Sequence, residues 1–259
     1  MSSLTDKVVI ITGASSGIGA STCVHLAKLK PKLVLASRNV DNLTKVSEQC
    51  QANGLSSESI LIVHCDVDKE DDLRNLVDET VSKFGHIDVL VNNAGSSIYR
   101  SIMDTTLDMF DQTVRTNLRA PFYLSQLCIP HLIKTQGNIV NVSSISSTKA
   151  FPTAVAYCMA KAGLDHLTRT LAVDLAGKKV RVNSVNPGVI ITNFQKNAGM
   201  ADDKYEQYID RQKALQPLGG AGDPEEVAKA IQFLASDDSS FVTGQLIFVD
   251  GGRHVFSPC

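Results

Sequence analysis

The chain has no Cys-x-x-Cys pair. Its six cysteines stand at 23, 50, 65, 128, 158 and 259 and its six histidines are equally scattered, so the sequence spells out no structural zinc site. The expected state is a set of small buried thiols in a reducing compartment, with Cys158, beside Tyr157, as the candidate for a reactive thiol. No uninterrupted apolar run reaches the roughly 18 residues that a membrane span needs. Met1–Asp6 lacks the charged and apolar regions of a signal peptide, and Ser257-Pro258-Cys259 is not a retention or peroxisomal address. The expectation is a cytoplasmic protein without a membrane span. Charge of one sign is also missing: 25 Lys and Arg face 27 Asp and Glu, a net charge of −2 with no basic patch, so nucleic acid is not an expected partner. There is no repeat, no low-complexity tract and no Pro/Gly/Ser linker.

What is present reads as an ordinary globular chain of 259 residues, 43% apolar and 20% charged, long enough for one sizeable core. Short runs rich in Val, Ile and Leu recur at Lys7–Thr12, Leu33–Ser37, Ile60–Cys65, Asp88–Asn92, Asn138–Val142, Arg181–Asn186 and Leu246–Val249. They show no polar alternation, as expected of strands covered on both faces. Between them lie stretches long enough for crossover helices, at Gly17–Lys28, Asp41–Ala52, Lys69–Phe84, Ala156–Ala176 and Pro224–Leu234. Asp223 before Pro224-Glu225-Glu226, and Asp68 before Lys69-Glu70-Asp71-Asp72, read as helix caps with acidic first turns. The polar segment 194–222 falls between two strands and reads as a helical insertion, a substrate lid over one end of the sheet. The whole chain, 1–259, is expected to be a single α/β domain with a doubly wound parallel sheet of seven strands and helices on both faces.

The first strand runs into Thr12-Gly13-Ala14-Ser15-Ser16-Gly17-Ile18-Gly19. A strand, a glycine turn and a helix start let the backbone approach a pyrophosphate and offer it free N–H groups and a partial positive charge. The spacing is Gly-x-x-x-Gly-x-Gly, and by itself it could be a tight turn; its place after the first strand of a βαβ pattern favours a dinucleotide. The second strand ends in Ser37-Arg38 with no carboxylate. An acid there would suit the ribose hydroxyls of NAD, whereas a guanidinium suits the 2′-phosphate of NADP. The expected cofactor is therefore NADP(H) ahead of NAD(H), unless Arg38 is simply a solvated loop residue. Asp66, after the third strand, could accept from an adenine amino group or cap the next helix.

Tyr157 and Lys161 are four apart in a helical pattern and so share a face. A phenol titrates near 10, and bringing it to neutrality takes roughly 4 kcal/mol in favour of phenolate. A cation a few ångströms away in a partly dry cleft can supply that, and such a Tyr can exchange a proton with a carbonyl oxygen. A lone Tyr-x-x-x-Lys is a weak signal. Here Ser144 lies thirteen residues earlier at the end of a strand, Asn92-Asn93-Ala94-Gly95 ends another, Asn117 follows Arg115-Thr116, and Pro187-Gly188-Val189-Ile190-Ile191-Thr192 follows a sixth.

This set resembles the short-chain dehydrogenase/reductase family, in its single-domain branch with a Rossmann-type sheet, from Lys7 to about Gly252. The resemblance implies that Gly13, Ser15, Ser16, Gly17, Ile18 and Gly19 hold the pyrophosphate, that Ser37 and Arg38 take the NADP phosphate, and that Asp66 and Val67 line the adenine pocket. It implies that Asn93, Ala94 and Gly95 pack along the adenosine ribose, and that Pro187, Gly188, Ile190 and Thr192 frame the nicotinamide. Catalysis would fall to Asn117, which holds a water relay, Ser144, which binds the substrate oxygen, Tyr157, the acid/base, and Lys161, which binds ribose and lowers the Tyr157 pKa. Two departures stand out. Acyl-carrier-protein reductases of the family commonly carry Arg where this chain has Ser16, and many members have Gly in the turn where this chain reads Lys30-Pro31-Lys32, which should alter that turn. The substrate would be a medium-sized apolar carbonyl or alcohol (steroid, retinoid, ketoacyl or xenobiotic) between 96–103, 145–152 and 194–215, with walls that include Ile98, Tyr99, Ile145, Phe151, Phe194 and Met200. The family also implies a homo-oligomer, tetramer or dimer, packed through Phe241–Gln245 and Val249–Gly252. The alternatives are a catalytically silent nucleotide sensor on the same fold, and an epimerase or dehydratase.

Overall fold

The computed structural model describes residues 4–257. Met1–Ser3, Pro258 and Cys259, and with them parts of the terminal-signal and cysteine readings, lie outside the described residues. Seven parallel strands form one sheet in the order β3-β2-β1-β4-β5-β6-β7. They are β1 (Val8–Thr12), β2 (Lys32–Ser37), β3 (Ile60–His64), β4 (Val89–Asn92), β5 (Asn138–Val142), β6 (Arg181–Pro187) and β7 (Leu246–Val249). Each lies within a residue of its apolar run in the sequence.

Burial on both faces explains those runs. Successive strand side chains point to opposite sides. In β1, Val9 and Ile11 enter one core with Cys23, Leu26, Leu43, Val227 and Ile231. Val8 and Ile10 enter the other with Leu73, Leu76, Leu124, Cys128 and Leu175. The first core therefore lies under α1 (Gly17–Ala27), α2 (Val40–Ala52) and a later helix, Pro224–Ala235. The second lies under α3 (Glu70–Phe84) and two long helices of the middle of the chain, Ala120–Thr135 and Val155–Leu175. Each fully buried aliphatic side chain stabilises such a core by about 1.5–3 kcal/mol.

The middle of the chain holds elements that sequence periodicity did not reveal. These are α4 (Leu107–Val114), a wide π-helical turn at Arg115–Arg119, and α5 (Ala120–Thr135) running on without a break. Then come α6 (Val155–Leu175), α7 (Phe194–Asn197), α8 (Asp202–Leu215) and α9 (Pro224–Ala235). The last begins with the expected cap: Asp223 accepts from Glu225 N at 2.8 Å, and Glu226 accepts from Asp223 N at 2.7 Å. Asp68 does not cap α3. The residue before that helix is Lys69, without a side-chain cap, and Asp68 instead accepts from Thr116 Oγ1 at 2.8 Å. In the turn before β2, where many family members carry glycine, Lys30 takes the left-handed conformation, φ 56°.

Cys23, Cys50, Cys65 and Cys128 are buried free thiols and Cys158 is half-buried. Burial raises Cys50 and Cys65 to about 12. Among the described residues no helix is long and apolar enough to cross a membrane, and no cluster of His, Cys, Asp or Glu could hold a metal.

Candidate active site

The strand order reverses between β1 and β4, and ligands of open α/β sheets settle at such a crevice, outside the carboxyl ends of the strands. The expected residues gather there: Gly13 follows β1, Ser37 and Arg38 end β2, Asp66 and Val67 follow β3, Asn93–Gly95 follow β4, Ser144 follows β5, and Pro187 ends β6.

The glycine turn is stitched to the end of β4. Asn93 Nδ2 donates to Thr12 O at 2.8 Å and Gly13 O at 3.3 Å, and Thr12 Oγ1 accepts from both Asn93 N and Ala94 N at 3.1 Å. Asn93 thus ties the end of β4 to the glycine turn. Gly13, at φ 66°, leaves no room for a side chain: a Cβ would stand 2.9 Å from Ala94 Cα and from Asn93 Nδ2. Ser16 precedes α1 in extended conformation without a side-chain cap, so the first turn of α1 is left without a capping side chain. Across the groove, Thr192 lies so near Gly17 that a Cβ there would meet its Cγ2 at 3.1 Å.

The adenine end has a local role as well. Asp66 N donates to Asp72 at 2.8 Å, and Asp66 Oδ1 accepts from Asp68 N at 3.2 Å, so both acids shape the β3–α3 turn. Arg38 is exposed, while Ser37 is buried and its Oγ accepts from Asn39 N at 3.0 Å. Gly188 packs against the C-terminal turn: a Cβ would stand 2.6 Å from Gln216 Oε1 and 2.9 Å from Asp250 Cα. Gln216, which sequence reading missed, braces this loop, accepting from Val189 N at 2.8 Å and donating to Gly220 O.

Tyr157 and Lys161 lie on α6, both buried, with Nζ 5.6 Å from the phenol ring centroid. Lys161 Nζ donates to Val142 O at 2.8 Å. Burial lowers its pKa to about 8, and the Asp165 carboxylate one turn on pulls it up. Asn117 sits in the wide turn, donating to Ser96 O at 2.8 Å and Thr113 O at 2.9 Å. Its Oδ1 is buried without a hydrogen-bond partner. Oδ1 and Lys161 Nζ converge on Gly95, where a Cβ would stand 2.9 Å from the first and 3.7 Å from the second. A buried unpaired acceptor beside an ammonium suits a bridging hydroxyl or water.

Without cofactor, burial raises the Tyr157 pKa well above the usual phenol value, the nearby Tyr99 adds to this, and the Ser144 hydroxyl pulls it down. The Lys161 ammonium is itself desolvated.

Other side chains brace Ser144, Tyr157 and Lys161 without being legible as functional. Asn186 Nδ2 reaches Asp165 Oδ2 at 3.0 Å, Ser147 Oγ at 3.0 Å and Ser144 O at 3.3 Å, tying β6 to α6 behind the serine. Asn92 donates to Asn141 at 2.9 Å and Asn141 to Thr168 at 2.9 Å. Their signal was available: polar residues in strands read as covered on both faces must be paired. Ser143 is a strand-end hydrogen bonder, its N–H donating to Val185 O at 2.8 Å. Over the site, Phe194 packs on Tyr157 at 5.8 Å between centroids, and Tyr205 OH donates to Thr192 O at 2.9 Å, fastening α8 to the loop after β6.

Residues 13–254 match the family model described as enoyl-(acyl carrier protein) reductase. The 3-oxoacyl-[acyl-carrier-protein] reductase FabG of Thermotoga maritima is 38% identical, over 96% of this chain and 98% of its own. A short-chain dehydrogenase/reductase of unknown function from Caenorhabditis elegans, solved with cofactor, superposes with a TM-score of 0.93 at 36% identity, over 98% of this chain and 97% of that one. A 7α-hydroxysteroid dehydrogenase solved with NADH and 7-oxo glycochenodeoxycholic acid superposes with a TM-score of 0.88 at 32% identity, over 96% and 95%.

Proposed function

The chain belongs to the short-chain dehydrogenase/reductase family of oxidoreductases, and from that premise we propose that it reduces a carbonyl to a secondary alcohol with NADPH. The observation that carries this reading is the buried set of Ser144, Tyr157 and Lys161 at the end of β5, with the Asn117 acceptor behind it.

The glycine turn, the open first turn of α1, Arg38, Val67, Asn93–Gly95 and the loop from Pro187 to Thr192 form the groove that would hold the dinucleotide. The unpaired Asn117 acceptor and the closed-up glycines fit such a guest. When bound, the reduced nicotinamide supplies the hydride. The protein's residues handle the oxygen and the proton. Ser144 hydrogen-bonds the substrate oxygen and stabilises charge as it builds there. Tyr157 gives its proton to that oxygen, so the carbonyl becomes a hydroxyl and the phenol a phenolate. Lys161 holds the phenolate by charge.

Arg38, with no carboxylate at the end of β2, supports NADP(H) over NAD(H). Ser16 in place of Arg supports a substrate other than an acyl carrier protein. Phe151, Phe194, Ile145 and Tyr99 support a medium-sized, largely apolar substrate under the 194–222 lid. The free thiols support a reducing, cytoplasmic setting. Phe241, fully exposed, and Phe122 and Met159, bare on α5 and α6, support a homo-oligomer.

The test is a screen of ketosteroids, quinones, aryl ketones, sugars and ketoacyl thioesters, read by NADPH absorbance. Arg38→Asp should weaken NADPH by roughly 10–100-fold and NADH little. Equal kinetics with both cofactors in the native enzyme would remove the cofactor assignment.

A further inference from the structure

Beyond β7 the chain does not simply trail off. Asp250, buried, winds Gly251–His254 into a tight turn: its carboxylate accepts from Gly252 N at 3.0 Å, His254 N at 2.6 Å and His254 Nδ1 at 2.7 Å. Gly251 and Gly252, at φ 61° and 84°, permit that winding. Lys149, on the loop after Ser144, clasps the turn, donating to Arg253 O at 3.1 Å and Phe256 O at 3.0 Å. The C-terminal turn is thereby fixed against the loop that carries Phe151.

The side chain delivered to that place is Arg253. Its guanidinium lies 5.9 Å from the Phe151 ring centroid. On another side it stands close enough to Tyr208 for its charge to favour the Tyr208 phenolate, against a burial that raises the same group. Tyr208 in turn is an electrostatic neighbour of Tyr157. Arg211, one turn along α8, adds a second positive charge beside Arg253. Among the described residues neither arginine has an ion-pair partner, and Arg253 Nε is buried with no hydrogen-bond partner. Asp250 is the acid nearest at hand, and its oxygens are committed to the turn and to His254. A buried guanidinium N–H left unpaired costs free energy that an arriving anion would recover. The fork of a guanidinium also suits a carboxylate bidentately.

We propose that Arg253, flanked by Tyr208 and Arg211, is an anion-binding subsite at the far end of the substrate cleft, and that the substrate is an apolar carbonyl compound bearing a carboxylate remote from the reacting carbon. This rests on the reading of Tyr157 as the proton donor. It adds a second anchor: one end of the substrate is fixed by Ser144 and Tyr157, the other by charge across Tyr208. Arg253 touches the substrate tail, not the reacting atoms, so its contribution falls on binding.

The experiment uses aryl ketones with alkyl tails of increasing length that end in a carboxylate, each paired with its methyl ester. With the native enzyme and NADPH, at least one length should favour the acid over the ester by roughly tenfold or more in kcat/KM, carried by KM. Arg253→Gln should bring acid and ester together by raising the acid's KM about tenfold, and Arg253→Lys should restore part of the preference. A native enzyme indifferent to the charge at every length, or a preference that survives Arg253→Gln, overturns the subsite. A second readout needs no turnover: the acids should raise the melting temperature of the enzyme–NADPH complex more than their esters do, and Arg253→Gln should abolish the difference. Absence of that difference in the native protein also overturns the subsite. Loss of all turnover with the melting difference intact would instead overturn the assigned reaction.

Discussion

At the scale of single residues, Lys161 shows what the site costs. Its ammonium is buried, and burial brings it from 10.5 to about 8. Between those two values the unfolded chain keeps a proton that the folded chain has released, so stability rises with pH across that window. Below it, the folded protein carries a penalty of about 3 kcal/mol. Lys161→Met should therefore be about 1–2 kcal/mol more stable than the native protein near pH 7, after losing the hydrogen bond to Val142 O, and its stability should no longer climb from pH 8 to 10.5. Urea unfolding at several pH values checks this. A Met variant of unchanged or lower stability with the climb intact would refute it. In the native enzyme, kcat/KM should fall as pH rises through about 8, where the free enzyme loses the ammonium. The proposed tetrad stood out in the sequence because its residue types are rare in combination. Asp165, Asn186 and Gln216 were not, because an Asn, Asp or Gln shows its role only through the partners that folding brings to it.

At the scale of elements, the apolar runs gave all seven strands to within a residue, because strands covered on both faces cannot hide their composition. The segment 107–135 was harder. A straight run from α4 into α5 would turn Asn117 differently, and the wide turn at Arg115–Arg119 that points it toward Ser96 O leaves no periodic mark in the sequence. The left-handed residue in the turn into β2 was equally hard to read from the sequence. The backbone demands a left-handed residue there, and Lys30, exposed and hydrogen-bonded through its N–H to Ala27 O at 3.1 Å, complies at a cost. Lys30→Gly should relieve roughly 0.5–1 kcal/mol and raise Tm by about 1–4 °C without changing turnover. A lower Tm would show that the lysine conformation carries no strain.

At the scale of the whole molecule, six strand ends meet at one edge of the sheet, and the proposed dinucleotide groove, proton donor and anion subsite are all assigned to that edge. Elsewhere Phe241 ahead of β7, Phe122 on α5, and Met159 and Val173 on α6 are among the apolar side chains that stand exposed on an isolated chain. Sequence suggested only the first of these surfaces, since apolar residues on helices read equally well as core. Light scattering at micromolar concentration should give a multiple of 27.9 kDa, and a lone 28 kDa species would contradict the assembly. The account as a whole turns on a buried phenol at position 157 supplying the proton. The most direct measurement is turnover of Tyr157→Phe beside its NADPH affinity. The expected result is a loss of roughly 10²–10⁴-fold or more in kcat with NADPH binding unchanged. Turnover near the native rate in that variant would contradict the mechanism.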